Sequence, residues 1–126
     1  MIEVQNLKKG FGGDELVLKG ISTTFDKGKT NLIIGQSGSG KTVFLKCLLG
    51  LFRPTEGKIL YDGEAYSELS SEKQRTLREQ MGMVFQGSAL FDSMTVEENI
   101  MFPLKMFTKQ RKAERRERAN EVIERV

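Results

Sequence analysis

Residues 33–46 read IIGQSGSGKTVFLK. Two β-branched residues run into a glycine-rich loop, then a lysine, a threonine and an apolar run with helical spacing. Gly35-Gln36-Ser37-Gly38-Ser39-Gly40-Lys41-Thr42 satisfies G-x-x-x-x-G-K-[ST] at every fixed position. Glycine lets a backbone wrap closely around a polyanion with its N–H groups pointing inward. A helix beginning near Gly40 directs the positive end of its dipole at the same place. Lys41 supplies a mobile cation for the outer phosphates, and Thr42 supplies a hydroxyl for Mg²⁺. The stretch reads as a phosphate cradle between a buried strand and a helix.

Outward from the loop, TNLIIG (30–35) predicts a strand covered on both faces. The helix from Gly40 to Leu49 is apolar nearly all round, with Gly50 placed to cap it. Upstream, IEVQNL (2–7) and VLKGISTTF (17–25) read as strands, separated by the turn-rich KKGFGGDE. Downstream, KILYDG is a short strand closing on an Asp-Gly turn. Ser70 or Ser71 can cap a polar helix over SEKQRTLREQ. MGMVF (81–85) predicts a second apolar strand. A helix starts near Thr95, and Pro103 is expected to end or kink it. The last segment, from about Gln110, is helical, with Glu114–Arg118 and Glu121–Arg125 at i,i+4 and an apolar stripe at 119, 122, 123 and 126.

The chain has 126 residues and a net charge of +3, enough for one domain. Its first 104 residues are close to neutral, and the excess charge lies in the last 22. Nucleic-acid binders spread basic groups over a groove-facing surface. A basic terminal helix interspersed with glutamates reads instead as a solvated face, and no nucleic-acid partner is expected. One cysteine forms no intrachain disulfide and fits a reducing compartment. There is no histidine.

A phosphate loop alone is shared by GTPases, nucleotide kinases and transport ATPases. The guanine-reading N-K-x-D is absent. The order of the other features resembles the ATP-binding subunit of ABC transporters. The loop in the form GQSGSGKT is typical of that family. GKILYDGE resembles its small antiparallel β-subdomain, and MGMVFQ resembles its Q-loop, ending in Gln86. Phe11 stands where the family places an aromatic that stacks on adenine, more often a tyrosine. The resemblance implies an α/β fold: a partial P-loop NTPase core, a small antiparallel β-subdomain and the start of a helical subdomain. It implies Mg²⁺-ATP as ligand. Gly35, Ser37, Gly38, Ser39, Gly40 and Lys41 would lie on the phosphates. Thr42 would serve the metal, and Gln86 the metal and the attacking water. The stretch ALFDSMTVEEN…FPL is most similar to the Mla-type subunits that energise phospholipid transport in the cell envelope. Parts of it occur in branches serving amino acids, lipoproteins or cell division.

The resemblance further implies a second ATP-binding subunit, and a transmembrane permease meeting the region after Gln86. That would hold the protein at the inner, cytoplasmic face of the membrane. It covers residues 1–126 as the N-terminal part of a nucleotide-binding domain. The family's L-S-G-G-Q, its apolar strand ending in Asp-Glu and its switch histidine are not in these 126 residues. The segment is therefore expected to hold ATP with little turnover, since a general base contributes ~10²–10⁴-fold. Apolar surface beside strand 31–35 is expected to be bare and to make the segment self-associate. Two other readings stand beside this one: a non-hydrolytic ATP-binding module, and a small nucleotide kinase using the basic tail as a lid.

Overall fold

The first strand breaks strict alternation, and the break organises the sheet. In a computed structural model of the chain, which describes every residue except Asp14, Gln86 and Ser88, β1 is Ile2–Gly10, β2 Leu16–Phe25, β3 Glu56–Tyr61 and β4 Glu64–Ala65. They form one antiparallel sheet in the order β2-β1-β3-β4. Val4 and Leu7 are three apart, so ideal pleating would send them to opposite faces. Both are buried. Gln5 pairs with Lys58 and Lys8 with Glu56, so Asn6 and Leu7 together face Gly57, two residues against one. This is a β-bulge, with Asn6 at φ 46° and its N–H donated to the Ser22 hydroxyl at 2.9 Å. The bulge turns Leu7 back toward the core. A Cβ on Gly57 would lie 2.3 Å from the Asn6 carbonyl oxygen, so the bulge needs glycine opposite.

The core is the apolar face of this sheet packed against helix α1 (Lys41–Leu48). Val4, Leu7, Leu18 and Ile59 meet Phe44, Cys47 and Leu48. Full burial of each large side chain contributes roughly 1.5–3 kcal/mol. Beyond α1, Gly50 donates to the Cys47 carbonyl and Leu51 to the Lys46 carbonyl. This paired pattern closes a helix on the glycine that follows its cap. Tyr61 donates its hydroxyl to the Leu48 carbonyl, and burial with Tyr66 nearby pushes the phenol up to about 12. The Asp62-Gly63 hairpin joins β3 to β4, as that dipeptide favours. Helix α2 (Ser71–Glu79) starts at Ser70, whose side chain accepts from the Lys73 N–H.

The chain divides into two compact units, Met1–Gly82 and Met83–Val126. The second contains α3 (Val96–Phe107) and α4 (Lys112–Glu124). Thr95 and Glu98 cap α3 reciprocally: Glu98 N–H donates to the Thr95 hydroxyl and Thr95 N–H to the Glu98 carboxylate. The Asn99 amide braces the preceding turn through the carbonyls of Phe91, Met94 and Thr95.

Four expectations need correction. Residues 31–35 and 81–85 are not strands. Neither has a hydrogen-bonded neighbour among the described strands, and an unpaired segment cannot form a ladder. Leu32 is 85% exposed, Ile34 81% and Val84 97%. Pro103 does not end α3, which runs four residues past it. One lost backbone bond is offset by packing such as Phe91 on Phe102, with ring centroids 4.7 Å apart. The Glu114–Arg118 and Glu121–Arg125 pairs do not form. Glu114 accepts the Arg111 N–H at 2.6 Å, Arg118 pairs with Glu121, and Arg116 reaches Glu97 on α3. Of the C-terminal stripe, Ala119 is buried, while Val122, Ile123 and Val126 are exposed.

Candidate functional site

The glycine-rich loop expected to cradle phosphate spans residues 35–42 and ends as the first turn of α1. Gly40 is the residue before the helix, at φ 91° and ψ 5°. That left-handed conformation is costly for residues other than glycine. Space is also short, since a Cβ there would lie 2.9 Å from the Leu18 side chain and 3.3 Å from Val17. Strand β2 thus seats the loop, and Gly40 allows the close approach.

Most of the backbone donors that could meet an anion are uncommitted. No side chain caps the start of α1, and no acidic residue lies in its first turn. Ser39 N–H is turned back to the Gln36 carbonyl at 3.2 Å. The N–H groups of Gly38, Gly40, Lys41 and Thr42 have no acceptor among the described residues. A Cβ on Gly38 would meet nothing within 4 Å, so the cradle is open at that point. The Lys41 ammonium donates to the carbonyls of both Gly35 and Gln36 at 2.7 Å. It folds back over the loop, where an incoming phosphate oxygen could replace a carbonyl as its acceptor. Ser37 and Thr42 are exposed on this surface. The donor set suits a polyphosphate: backbone N–H groups, one cation and one hydroxyl at a helix N-terminus. Thr42 would hold Mg²⁺, which supplies charge neutralisation between phosphate oxygens when bound.

A cavity of about 500 Å³ adjoins the loop, lined by Glu15 to Lys19, Ile21, Gly38 and Ser39. Sequence reasoning did not place β2 at the site. The VLKG run marks a strand, but nothing local says which element packs on Gly40.

Gly35, Ser37, Gly38, Ser39, Gly40, Lys41 and Thr42 form one contiguous cradle. Phe11 does not join it here. Its ring meets Phe52 edge-on at 5.1 Å, with the Lys9 ammonium 4.9 Å from its centroid. Phe52 follows the C-terminal end of α1, and the loop is at the other end. Gln86 lies outside the described residues. The tail arginines Arg116 and Arg118 are held by carboxylates within the second unit.

A family model described as ABC transporter matches residues 18–126. The chain is 40% identical over 116 residues to a probable ribonucleotide transport ATP-binding protein, mkl, of Mycobacterium tuberculosis, covering 92% of this chain and 32% of that protein. It is 43% identical over 128 residues to the arginine transport ATP-binding protein ArtM of Bacillus subtilis, covering 100% and 52%. To the methionine import ATP-binding protein MetN 3 of Pseudomonas fluorescens it is 42% identical over 125 residues, covering 98% and 38%. The chain thus spans about a third to a half of these relatives. Among solved structures, the dimeric bacterial ABC transporter cassette MJ0796 matches with a TM-score of 0.83 and 32% identity, covering 96% of this chain and 55% of that one. The same cassette bound to ADP and Pi after hydrolysis matches with a TM-score of 0.81 and 31% identity, at the same coverage.

Proposed function

We propose that this chain, which belongs to the ABC transporter family, binds Mg²⁺-ATP as the N-terminal part (residues 1–126) of a nucleotide-binding domain that energises transport. The carrying observation is the cradle of residues 35–42, with free N–H groups at the start of α1 and Lys41 folded over it. Lys41 and the backbone of Ser37 to Thr42 hold the phosphates. Thr42 and Gln86 serve the metal. Phe11 is the proposed adenine platform, and a base stacking there competes with the Lys9 ammonium for the ring.

The partners are a second ATP-binding subunit and a permease that meets the region after Gln86. Support for pairing comes from the dimeric form of the similar cassette. Among the described residues no helix is long and apolar enough to cross a membrane, which suits a cytoplasmic subunit held by a permease. Support for a phospholipid cargo is confined to the stretch 87–104. The curated relatives are named for ribonucleotide, arginine and methionine transport. These 126 residues contain no L-S-G-G-Q, Asp-Glu strand end or histidine, so they bind ATP with little turnover. The bare apolar residues Leu32, Ile34, Val84 and Phe85 support self-association of the isolated segment.

Isothermal calorimetry of the 126-residue chain with ATP, with and without Mg²⁺, tests the reading. Saturable binding strengthened by Mg²⁺, without steady phosphate release, is expected. No binding overturns the cradle, and brisk release overturns the claim of low turnover. Light scattering that gives a monomer at high concentration overturns self-association.

A further inference from the structure

We propose that a second cavity, beyond the C-terminal end of α1, binds a small organic anion: a phosphate or carboxylate head on a compact apolar body. The cavity holds about 500 Å³, within the ~300–1,000 Å³ usual for small-molecule sites. None of its lining residues belongs to the phosphate loop.

Arg53, Lys58 and Arg78 line the cavity, and no Asp or Glu does so among the described residues. Arg53 and Arg78 have no carboxylate within 4.0 Å among the described residues. Lys58 lies 3.3 Å from Glu68, in a pair whose side chains are both more than half exposed. Exposed pairs of that kind bind weakly, so the ammonium can be shared with a ligand. Three cations around one concavity repel each other, and an anion between them relieves that repulsion. Guanidinium forks suit the flat oxygen pairs of carboxylate and phosphate.

The cavity has an apolar floor. Buried Cys47 and Ile59 contribute to it, with the rings of Phe52 and Tyr66 beside them. Burial pushes the Cys47 thiol up, which keeps it uncharged. An apolar floor under a cationic rim selects an amphiphilic anion over a bare inorganic ion. The wall is built in advance: the Gln74 amide donates to the Tyr66 and Leu69 carbonyls at 3.0 and 3.2 Å, tying α2 to the turn after β4.

The test titrates phenyl phosphate and benzoate into the 126-residue chain, with binding read by calorimetry and by amide chemical shifts. Because the phosphate loop also attracts phosphate, Lys41→Met is run beside wild type. The second variant is Arg53→Gln with Arg78→Gln, both at exposed positions, its fold checked by circular dichroism. Phenyl phosphate is expected to bind Lys41→Met as it binds wild type, and about tenfold or more weaker to the double variant, the loss of a charge-assisted hydrogen bond or more. ATP affinity of the double variant should stay at the wild-type value, which separates this site from the cradle. Phenyl phosphate binding alone assigns a phosphate head, and benzoate binding as well extends the site to carboxylates. No saturable binding of either probe overturns the proposal. So does binding lost in Lys41→Met and retained in the double variant.

Discussion

Gly57→Ala and Gly63→Ala form a controlled pair. Both glycines have nearly the same left-handed backbone, φ 86° and 89°. Alanine at either site therefore incurs a similar strain of roughly 1–2 kcal/mol. Their surroundings differ. A Cβ at Gly63 meets nothing within 4 Å, whereas one at Gly57 lies 2.3 and 2.5 Å from the carbonyl oxygens of Asn6 and Gln5. Those oxygens belong to backbone and cannot swing aside. β1 and β3 must part next to the Gln5–Lys58 pair, and the bulge that buries Leu7 is lost. Overpacking adds about 1–3 kcal/mol, and uncovering Leu7 adds up to ~1.5–3 kcal/mol. The totals are about 1–2 kcal/mol for Gly63→Ala and, with Leu7 fully uncovered, about 3.5–8 kcal/mol for Gly57→Ala. For a domain the size of Met1–Gly82, each kcal/mol lowers Tm by roughly 4–8 °C. Thermal unfolding followed by far-ultraviolet circular dichroism reads both variants. Gly63→Ala should keep a cooperative transition, while Gly57→Ala should melt at least ~8 °C below it or show none. Equal shifts in the two variants would refute the bulge argument.

Lys41→Met should weaken ATP binding about 10–150-fold by calorimetry, the worth of roughly one charged hydrogen bond, because the ammonium already has two carbonyl partners in the loop. Unchanged affinity would discredit the cradle. Tyr61→Phe removes the donor to the Leu48 carbonyl and should cost about 1–2 kcal/mol in a urea denaturation; a loss below ~0.3 kcal/mol contradicts that bond. The Thr95 N–H and hydroxyl hold the Glu98 carboxyl below the ordinary glutamate value. A depressed folded pKa gives stability that is present above the unfolded value and lost as pH falls through the folded one. Helix α3 should therefore fray as pH drops below the usual glutamate range. Glu98→Gln should flatten that dependence in amide exchange of residues 96–99, and an unaltered profile argues against the capping box.

Local features were legible in the sequence, and long-range ones were not. The proposed cradle is contiguous, so its residue types and order single it out as a candidate without knowledge of the rest of the fold. The Ser70 cap and the Asp62-Gly63 turn are equally local. Val4 and Leu7 signal the bulge by their odd spacing, which strand composition over 2–7 does not by itself bring out. Residues 31–35 and 81–85 have strand composition, but a strand also requires a paired neighbour, which composition does not supply. The place of Phe11 in the chain does not reveal that its ring meets Phe52, 41 residues away. Helical spacing alone pairs the tail glutamates with Arg118 and Arg125, and it cannot see competing partners. The Arg111 N–H claims Glu114 at the helix start, and α3 supplies Glu97 for Arg116.

The antiparallel sheet has consequences for synthesis. All four of its strands lie before residue 66, so every partner needed to close it has been made when barely half of these residues are. At ~5–20 residues per second, the ribosome needs roughly 3–12 s more to reach residue 126. Strand pairing takes a small fraction of that time. The sheet can thus be complete while Leu32 and Ile34 face solvent, so that apolar stretch lies bare on the nascent chain for seconds before residue 126 is made.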